Sequence, residues 1–529
     1  EGGALTTGAE QVDLRQGWED HAAPATVEGA LSARIDALPR RAVNVLQTAS
    51  VIGQVVQLPL LVAVAGDVAV RSALPQLEAA GFLMSLPSSE EVTFHHALVR
   101  EVAYARLLRR HRRELHRKVA AAIELHYGSG DEYLDLLARH HYLGQTAQAV
   151  ELLVRAATRA ARLFANEEAI IHFSHAVSVC EADPALSARL PDLRLALADL
   201  HELVGSYDDA LRLYDEVRSS IVDVRAWRGA AATLRQQGRL PEALALLETA
   251  LALPDLDEAG QAALWLERGR TILTEGHYHE ALAPLRNGLG LQAEPRVRGH
   301  LLMQMARAEL GEGRAEAALR HAVEAHATLA ELQDSRGLST ALRILGDTYA
   351  GCGRLDDAAD ALAQGLALSE RAGIVEEVGA CLINLGLVDL QRGRLEEAMS
   401  ADRRAIVEFG RVGNLGGLAT AYANLAEKTL AAGDAEDALS KVDRALALAQ
   451  EIDASDTLAD ATLTRSAILL ASGRTAEAAA TAERAADLLT AIGLTSFVPQ
   501  AWKVASSAYE ALGDVSRAEQ ARAAAASLG

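Results

Sequence analysis

The stretch Gly353-Arg-Leu-Asp-Asp-Ala358 decides the fold, because it returns forty residues later as Gly393-Arg-Leu-Glu-Glu-Ala398. Variants of it follow at the same interval through the C-terminal half, and copies with looser spacing occur upstream. The glycines of these other copies are Gly205, Gly238, Gly276, Gly313, Gly433, Gly473 and Gly513. A fixed period of this length is typical of a repeat array, in which each unit packs against its neighbours.

Small residues flank each of these glycines at constant offsets. Around Gly353 they are Gly346, Ala358 and Gly365, and the spacings match positions where two helices cross closely. The glycine is expected to end the first helix in a left-handed conformation, and the acidic pair behind it suits the start of the second helix. Each repeat is therefore predicted to be a helix hairpin. The hairpins together predict an all-α protein, a right-handed α-solenoid with a concave groove.

This pattern resembles the tetratricopeptide repeat, in an elongated form with longer helices. HEAT and armadillo arrays have a similar period, but the small-residue triplets and the Gly-Arg-Leu-acidic-acidic-Ala phrase favour the tetratricopeptide form. We assign the array to residues 185–529 and a helical lead-in with degenerate repeats to residues 117–184. In that lead-in, Gly144-Gln-Thr-Ala-Gln-Ala149 keeps the phrase, whereas Phe164 replaces the turn glycine before Asn166-Glu-Glu-Ala169.

Residues 27–116 follow another pattern. Apolar residues at helical spacing predict helices over about 26–38, 40–52, 60–65 and 68–80. Two short alternating runs, at 82–86 and 92–95, then predict a β-hairpin. Helices followed by a two-stranded wing form a winged-helix arrangement, and residues 1–26 are expected to be a linker from a preceding domain.

The run Phe94-His-His-Ala-Leu-Val-Arg-Glu-Val-Ala-Tyr104 resembles the winged-helix module of large multidomain signalling ATPases of the STAND or AAA type. That family includes ATPase-coupled adenylate cyclases and large LuxR-type regulators, in which a winged helix and a tetratricopeptide sensor follow the ATPase domain. The resemblance implies that His96 faces the bound nucleotide, and that Arg100 and Glu101 help to hold the closed, inactive arrangement. The alternative is a purely structural role, in which His96 caps the wing against the next helix.

The motifs argue against catalysis by this chain. A Walker phosphate-binding loop needs Gly-Lys-Ser/Thr, and none of the four lysines follows a glycine. These lysines are Lys118, Lys428, Lys441 and Lys503. ATP or ADP and Mg²⁺ are therefore expected only on an upstream ATPase domain. We expect no cofactor and no metal in this chain, since His279-Glu280 lacks the second histidine of a zincin helix and His140 and His141 point to different faces of a predicted helix.

Charge and composition narrow the partners. With 51 basic against 72 acidic residues, the net charge of −21 disfavours direct DNA binding. A basic run exists at Arg106, Arg109, Arg110, Arg112, Arg113, Arg117 and Lys118. We interpret it as a charged helix face, because the presumed recognition helix carries one basic residue, Arg71. Three separated cysteines favour the reducing cytoplasm, and no apolar stretch approaches the roughly 20 residues of a membrane span.

The predicted groove offers candidate binding residues. In tetratricopeptide proteins that bind peptides, an Asn two residues before the small position of the first helix holds the peptide backbone. Asn384 and Asn424 stand at that offset, and Gln304 occupies it in an earlier repeat. Arg307 and Gln391 are plausible neighbours on the same face. Ile344 and Thr464 fill the offset elsewhere, so ordinary helix-surface residues are the alternative explanation.

Three functions stay open at this point. The first is the non-catalytic sensor region of a signalling ATPase, which binds a protein, a peptide or a small-molecule inducer and relays this to an upstream nucleotide switch. The second is a free-standing tetratricopeptide adaptor. The third is a transcription regulator whose DNA-binding domain lies elsewhere. Self-association is compatible with each, and because the sequence starts with Glu1, the chain is expected to be a processed protein or a piece of a longer one.

Overall fold

Each helix hairpin turns at a glycine in the left-handed conformation. The computed structural model describes residues 25–86, 90–163, 165–254, 256–274, 276–452, 454–492, 494 and 497–527. In it Gly353 has a φ of +73°, and its amide donates to the carbonyl oxygen of Ala350. The same left-handed conformation occurs at Gly205, Gly238, Gly276, Gly313, Gly393, Gly433, Gly473 and Gly513. The predicted turns are thus confirmed.

Turns between successive hairpins use left-handed residues as well. Gly373 and Gly413 have φ values of +68° and +67°, each twenty residues after a hairpin glycine. Gln333 occupies the corresponding position of an earlier repeat with a φ of +54°. Left-handed backbone is unfavourable for a residue with a Cβ atom, so Gln333 is a point of local strain.

Helix and strand contacts group the chain into two compact units that divide between Leu213 and Tyr214. The first unit begins with five helices and a small sheet. Its elements are α1 (Ala25–Asp36), α2 (Arg40–Ile52), β1 (Val55–Gln57), α3 (Leu58–Ala65), α4 (Asp67–Ala79), β2 (Leu83–Ser85), β3 (Glu91–Phe94) and α5 (Ala97–Ala105).

The sheet has the antiparallel order β1-β3-β2. Strands β2 and β3 form the predicted hairpin, although its turn at 87–89 lies outside the described residues. Strand β1 was missed by sequence analysis, since three residues are too few to show an alternating pattern. Val56 pairs with Val92, and both are fully buried, which anchors β1 to the core of this unit.

The rest of the first unit is helical. It consists of α6 (Arg109–Tyr127), α7 (Leu134–Gly144), α8 (Ala149–Arg162), α9 (Asn166–Ala182), a short 3-10 helix (Pro184–Arg189), α10 (Leu190–Leu203) and α11 (Tyr207–Arg218), within which the division falls. Helices α8 and α9 pack together over a core of alanines. Phe164, predicted to replace a turn glycine between them, lies outside the described residues, as do residues 1–24 of the expected linker.

The second unit is a succession of eight further helix pairs. They are α12 (Val224–Gln236) with α13 (Leu240–Leu251), α14 (Glu258–Thr274) with α15 (Tyr278–Leu289), α16 (Pro295–Gly311) with α17 (Ala315–Glu331), α18 (Ser335–Gly351) with α19 (Leu355–Ala372), α20 (Val375–Gln391) with α21 (Leu395–Arg411), α22 (Leu415–Ala431) with α23 (Ala435–Glu451), α24 (Ser455–Ala471) with α25 (Thr475–Ala491), and α26 (Val498–Leu512) with α27 (Val515–Ser527). The protein is an all-α solenoid of tetratricopeptide-like hairpins.

The small residues let the two helices of a hairpin approach closely. A Cβ atom added to Gly346 would come within 2.5 Å of Cγ of Leu362, which itself is fully buried. Any larger residue at this position would therefore force α18 and α19 apart. The predicted role of the small-residue positions is confirmed here.

The two helices of each pair form separate layers. Every first helix from α12 to α24 contacts the first helix of the next pair. Among the described residues, no two successive second helices make a comparable contact. The first helices therefore form an inner layer, in which side chains of neighbouring repeats meet. None of the helices in the described part of the chain combines the length and apolarity that crossing a bilayer requires.

Candidate binding face

Polar side chains on the first helices form a row that continues from one repeat to the next. Nε of Arg235 on α12 donates to Oε1 of Glu267 on α14 at 2.9 Å, and Thr464 on α24 donates to Oε1 of Glu427 on α22 at 3.3 Å. We call this row the inner face. It consists of the apolar Leu387 together with the polar residues Arg228, Arg235, Glu267, Arg270, His300, Gln304, Arg307, Arg343, Asp347, Glu377, Asn384, Asn424, Glu427, Asp456, Asp460 and Thr464.

Gln304 and Arg307 were both predicted as groove residues, and the structure brings them together on α16. Oε1 of the buried Gln304 accepts a hydrogen bond of 3.0 Å from Nη1 of Arg307. Arg307 is exposed but surrounded by protein, and this crowding, followed by repulsion from Arg343, lowers the pKa of its guanidinium. Gln304 therefore orients an arginine that keeps hydrogen-bond donors available to a ligand.

Asn384 and Asn424 occupy the predicted offset on α20 and α22, yet their surroundings differ. Nδ2 of Asn384 donates to Oδ1 of Asp347 on α18 at 2.5 Å, so this amide is already engaged within the protein. Asn424 is half-buried and makes no side-chain hydrogen bond to any other described residue. Of the two asparagines, Asn424 is the one whose donor and acceptor are both available to a peptide backbone.

Gln391 lies at the edge of the inner face. It is the last residue of α20, and its side chain is exposed. The exposed Leu387 precedes it by one helical turn and occupies the repeat position that Arg307, Asp347 and Glu427 fill on other first helices. At this repeat position α20 therefore presents an apolar side chain, whereas α16, α18 and α22 present charged ones.

The part of the inner face on α12, α14 and α16 is positively charged. Nη1 of Arg270 lies 3.7 Å from Glu267, and its Nη2 lies 3.4 Å from Nδ1 of His300 on α16. Burial, with repulsion from Arg270 as the next cause, lowers the pKa of His300 to about 4, so this imidazole is neutral at pH 7. Since Glu267 also pairs with Arg235, a single buried carboxylate serves two arginines.

The part of the inner face on α22 and α24 has the opposite sign. Asp460 is exposed but crowded by the surrounding protein, which raises the pKa of its carboxyl to about 6. Repulsion from Glu427 and Asp456 raises it further. Glu427 and Asp456 thus lie close enough to Asp460 to disfavour its charge.

Between the two ends, the charges compensate one another. Nε of Arg343 donates to Oε1 of Glu377 at 2.7 Å, and Nη1 of Arg343 lies 3.8 Å from Asp347. Burial raises the pKa of Asp347 to about 6, and Arg343 and Asn384 partly offset that rise. Sequence analysis missed Arg343, Asp347 and Arg270. The available signal was their repeat position, since Asp347 stands forty residues after Arg307 and forty before Leu387.

The residues predicted to contact another domain are separated by the fold. His96 precedes α5 and is exposed, with its Nε2 at 3.1 Å from Nδ1 of His95, and it makes no side-chain cap to the helix. Glu101 is also exposed. Arg100, in contrast, is buried, and burial followed by repulsion from Arg139 lowers the pKa of its guanidinium. His96 and Glu101 are thus accessible, whereas Arg100 serves the interior of its own unit.

The basic run is largely engaged within the first unit. Arg106 pairs with Asp36, Nε of Arg117 donates to the carbonyl oxygen of Gly144 at 2.7 Å, and Lys118 pairs with Glu114 at 2.8 Å. Nη2 of Arg112 donates to the carbonyl oxygen of Tyr104 at 3.1 Å. On α4, the only basic residue, Arg71, pairs with Asp67. Four of the seven side chains of the run are thus engaged within their own unit.

His140 and His141 are both buried, so neither is solvated. Nδ1 of His140 lies 2.9 Å from Nδ1 of His116, and Nε2 of His116 lies 2.9 Å from the hydroxyl of Tyr104. Nδ1 of His141 lies 2.7 Å from the hydroxyl of Thr146. The two histidines take part in separate hydrogen-bonded groups that connect α7 to its neighbours.

One side-chain cluster has the donor atoms of a metal site. Oxygen and nitrogen atoms of Asp135, Glu168 and His172 lie within 4.8 Å of one another. However, Nη1 of Arg159 donates to Oδ2 of Asp135 at 3.1 Å and already supplies a positive charge to the cluster. The arrangement is therefore explained as an ion-pair network between α7, α8 and α9.

No known protein-family profile matches the sequence. Among curated proteins, an uncharacterized protein of Rhizobium meliloti (strain 1021) is 32% identical over 186 residues. The matched segment covers 33% of this chain and 18% of that protein. The chain thus spans less than a fifth of the length of this relative.

Solved structures with a similar fold are helical repeat proteins. A STAND-type signal transduction ATPase with a tetratricopeptide repeat sensor from Pyrococcus horikoshii has a TM-score of 0.44 at 15% identity, over 86% of this chain and 63% of its own. A Rap protein complexed with competence and sporulation factor has a TM-score of 0.49 at 14% identity, over 64% and 97%. Aspartyl phosphate phosphatase F from Bacillus subtilis has a TM-score of 0.45 at 16% identity, over 65% and 94%.

Proposed function

We propose that this chain is a non-catalytic binding region whose inner face holds a protein or peptide partner. The observation that carries the proposal is the continuous row of polar side chains from α12 to α24. These side chains lie on the layer where neighbouring repeats meet, and several of them keep hydrogen-bonding groups available. Asn424, whose amide has no partner among the described residues, and the exposed Arg307 are the clearest examples.

An extended peptide suits this face because its backbone offers a donor and an acceptor at every residue. Asparagine, glutamine and arginine side chains on successive helices can bind such a backbone independently of its sequence. The compensated charges at Arg343 and Asp347 hold the middle of the face in a fixed arrangement. A surface that is already held in its binding arrangement loses little conformational entropy when a peptide binds, so preorganisation favours affinity.

We also propose that residues 27–116 form a winged-helix domain that couples the binding region to an upstream nucleotide switch. Support comes from the resemblance of residues 94–104 and from the order of α1–α5 with a three-stranded sheet. The exposed His96 and Glu101 are the side chains through which such a domain would contact an ATPase. ATP or ADP and Mg²⁺ would belong to that ATPase.

The reading frame upstream of Glu1 tests the coupling proposal. A Walker lysine encoded there supports the signalling ATPase, whereas a stop codon directly upstream supports a free-standing adaptor. An upstream DNA-binding domain would support a transcription regulator. In the last two cases, the binding role of the inner face is unaffected.

A partner-capture experiment tests the binding proposal. The tagged chain is expressed in cells of the source organism, and its partners are quantified by mass spectrometry. The inner-face variant Asn424→Ala with Glu427→Ala is compared with Gln450→Ala and Glu451→Ala, an amide and an acid exposed at the end of α23 in the same hairpin. We expect a partner that the wild type and the α23 variant retain and the inner-face variant loses. Equal retention by all three proteins would contradict the proposal.

A further inference from the structure

The inner face has two ends of opposite charge. On α12, α14 and α16 the inner face has more arginines than acidic residues. Its one carboxylate there belongs to Glu267, and its arginines are Arg228, Arg235, Arg270 and Arg307. We call this the cationic end. Arg298 on α16 is paired away from the face, with Glu324 on α17 at 2.8 Å.

The opposite end lies on α22 and α24. Glu427, Asp456 and Asp460 carry its charge, and we call it the anionic end. The basic residues of these two helices do not neutralise it. Lys428 pairs with Asp402, where both side chains are fully buried, and Arg465 pairs with Asp443 on α23 at 2.8 Å. Like charges thus remain together at both ends of the face.

The stretch between the ends is electrically neutral or apolar. Arg343 is matched by Glu377 and Asp347, and Asp347 also accepts from Asn384. Leu387 then presents an exposed apolar side chain on α20. A ligand that crosses this stretch meets no unmatched charge until it reaches either end.

Like charges that are crowded without counter-ions are costly for the protein alone, and a ligand of the opposite charge relieves this cost. We propose that the inner face binds an extended peptide with segregated charges: an acidic half lies on the cationic end and a basic half on the anionic end. This proposal rests on the proposed binding function and specifies the chemistry of its ligand.

The length of such a peptide follows from the layer geometry. From Arg307 on α16 to Glu427 on α22 there are three steps between first helices. At about 8–10 Å per step this is roughly 24–30 Å. An extended chain advances about 3.3 Å per residue, so roughly eight or nine residues connect the two ends. The half-buried Asn424 lies within that path, where it can bind the peptide backbone.

Two synthetic peptides of identical composition test the proposal. Both are fluorescently labelled, with blocked termini and about eighteen residues, because the six steps from α12 to α24 span roughly 48–60 Å. One carries its Glu residues in the first half and its Lys residues in the second, and the other alternates them. Binding to the full chain is measured by fluorescence anisotropy at low ionic strength. We expect the segregated peptide to bind at least about tenfold more tightly, since several charge-assisted contacts form only when both ends are matched.

Matched variants locate the site. Arg270→Gln with Arg307→Gln removes two charges from first helices α14 and α16. Arg286→Gln with Arg320→Gln removes two charges from exposed positions on α15 and α17, the second helices of the same hairpins. The first variant should lose about tenfold in affinity for the segregated peptide, and the second should change it by less than about twofold. At the other end, Asp460→Asn should weaken binding, whereas Asp487→Asn on α25 should not.

The outcomes separate this inference from the proposed function. Equal binding of both peptides, binding of neither, or equal losses in the inner-face and second-helix variants would overturn the segregated-charge ligand. If the inner-face variant of the capture experiment still loses a cellular partner in that case, the binding function stands and only the ligand chemistry fails. If the variant Arg270→Gln with Arg307→Gln does not fold, Arg228→Gln at an exposed position of the cationic end replaces it.

Discussion

The Nζ atom of Lys428 on α22 lies 2.7 Å from Oδ2 of Asp402 on α21, and neither side chain has exposed surface. Burial raises the pKa of the Asp402 carboxyl to about 6, against the opposing influence of the lysine charge. Among the described residues, neither group makes an aligned hydrogen bond. The ion contact is therefore what compensates each charge for its removal from water.

Removal of one partner from this pair should be costly. Asp402→Asn leaves a buried ammonium without a counter-charge, so we expect a loss of about 3–5 kcal/mol in the free energy of unfolding. The double variant Asp402→Leu with Lys428→Met removes both charges and should regain most of that loss, because apolar side chains of similar size avoid the desolvation cost. Urea unfolding followed by circular dichroism measures both.

The pair of the half-buried Lys441 and the exposed Asp437 on α23 provides the control for this measurement. Asp437→Asn should change the free energy of unfolding by less than about 1 kcal/mol, as is usual for surface ion pairs. A loss as small as this for Asp402→Asn would show that water reaches the buried pair.

The strain at Gln333 predicts a stabilising substitution. Its φ of +54° favours glycine, so Gln333→Gly should stabilise the array by about 0.5–1 kcal/mol, after allowance for the greater freedom of glycine in the unfolded chain. The reciprocal change Gly373→Ala, forty residues later at a φ of +68°, should destabilise it by about 1 kcal/mol. A Cβ atom at Gly373 meets no other atom within 4 Å, so the effect would come from the backbone alone. Unfolding midpoints that shift in the same direction for both variants would contradict this account.

The buried His116 predicts sensitivity to acid in the first unit. Burial lowers the pKa of His116 to about 3, below the value of about 6.5 in an unfolded chain. Between these values the unfolded state binds more protons, so the contribution of His116 to stability is lost as the pH falls below about 6.5. Burial also lowers the pKa of His140, which acts in the same direction.

Hydrogen exchange with mass spectrometry can test this locally. Peptides from α6 and α7 should lose protection between pH 7 and pH 5, after correction for the intrinsic exchange rate. His116→Phe should destabilise the protein by about 1–3 kcal/mol at pH 7, since it leaves Tyr104 and His140 without their partner. It should also reduce the dependence on pH, whereas His126→Phe at an exposed position should leave that dependence unchanged.

Asp347 predicts the opposite pH dependence in the second unit. Burial raises its pKa to about 6, above the value of about 3.9 in an unfolded chain. Over this window the folded state binds more protons, so the contribution of Asp347 to stability falls as the pH rises from about 4 to 6. After a reduction for the solvent that still reaches the side chain, the effect should be about 1–2 kcal/mol.

Asp347→Asn should flatten this part of the stability profile, measured as urea unfolding midpoints at pH 4, 5 and 6. Asp360→Asn, at an exposed position on α19, should leave the slope as it is in the wild type. An unchanged slope in Asp347→Asn would mean that folding does not raise the pKa of the Asp347 carboxyl.

The sequence predicts the hairpins well because their main constraint is local. Each turn glycine has to adopt a positive φ, and this requirement is visible as a glycine at a fixed interval. The repeat pattern also places four residues on one face, because each stands at one of two fixed distances before a turn glycine. These residues are Gln304, Arg307, Asn384 and Asn424. Strand β1 has no such local signal, because three residues are paired only through the distant β3.

The interactions within the face depend on neighbouring repeats and were harder to predict. The bond from Asn384 to Asp347 joins α20 to α18, so the repeat phrase alone does not show that this amide is engaged. The buried pair did leave a trace. Lys428 falls where the neighbouring repeats have Val388 and Ile468, and Asp402 falls where they have Leu362 and Val442. Opposite charges at two apolar repeat positions indicate a buried ion pair.

The uniform forty-residue unit has a consequence for how the binding face can change in evolution. Each hairpin presents to the next one nearly the same surface that it receives from the previous one. Except at the buried Lys428–Asp402 pair, which joins two successive hairpins, an in-frame duplication or deletion of one such unit therefore alters the chain without leaving a buried charge unmatched at the junction. The distance between the two charged ends changes by one helix step each time, so gene rearrangement can adjust ligand length in discrete increments.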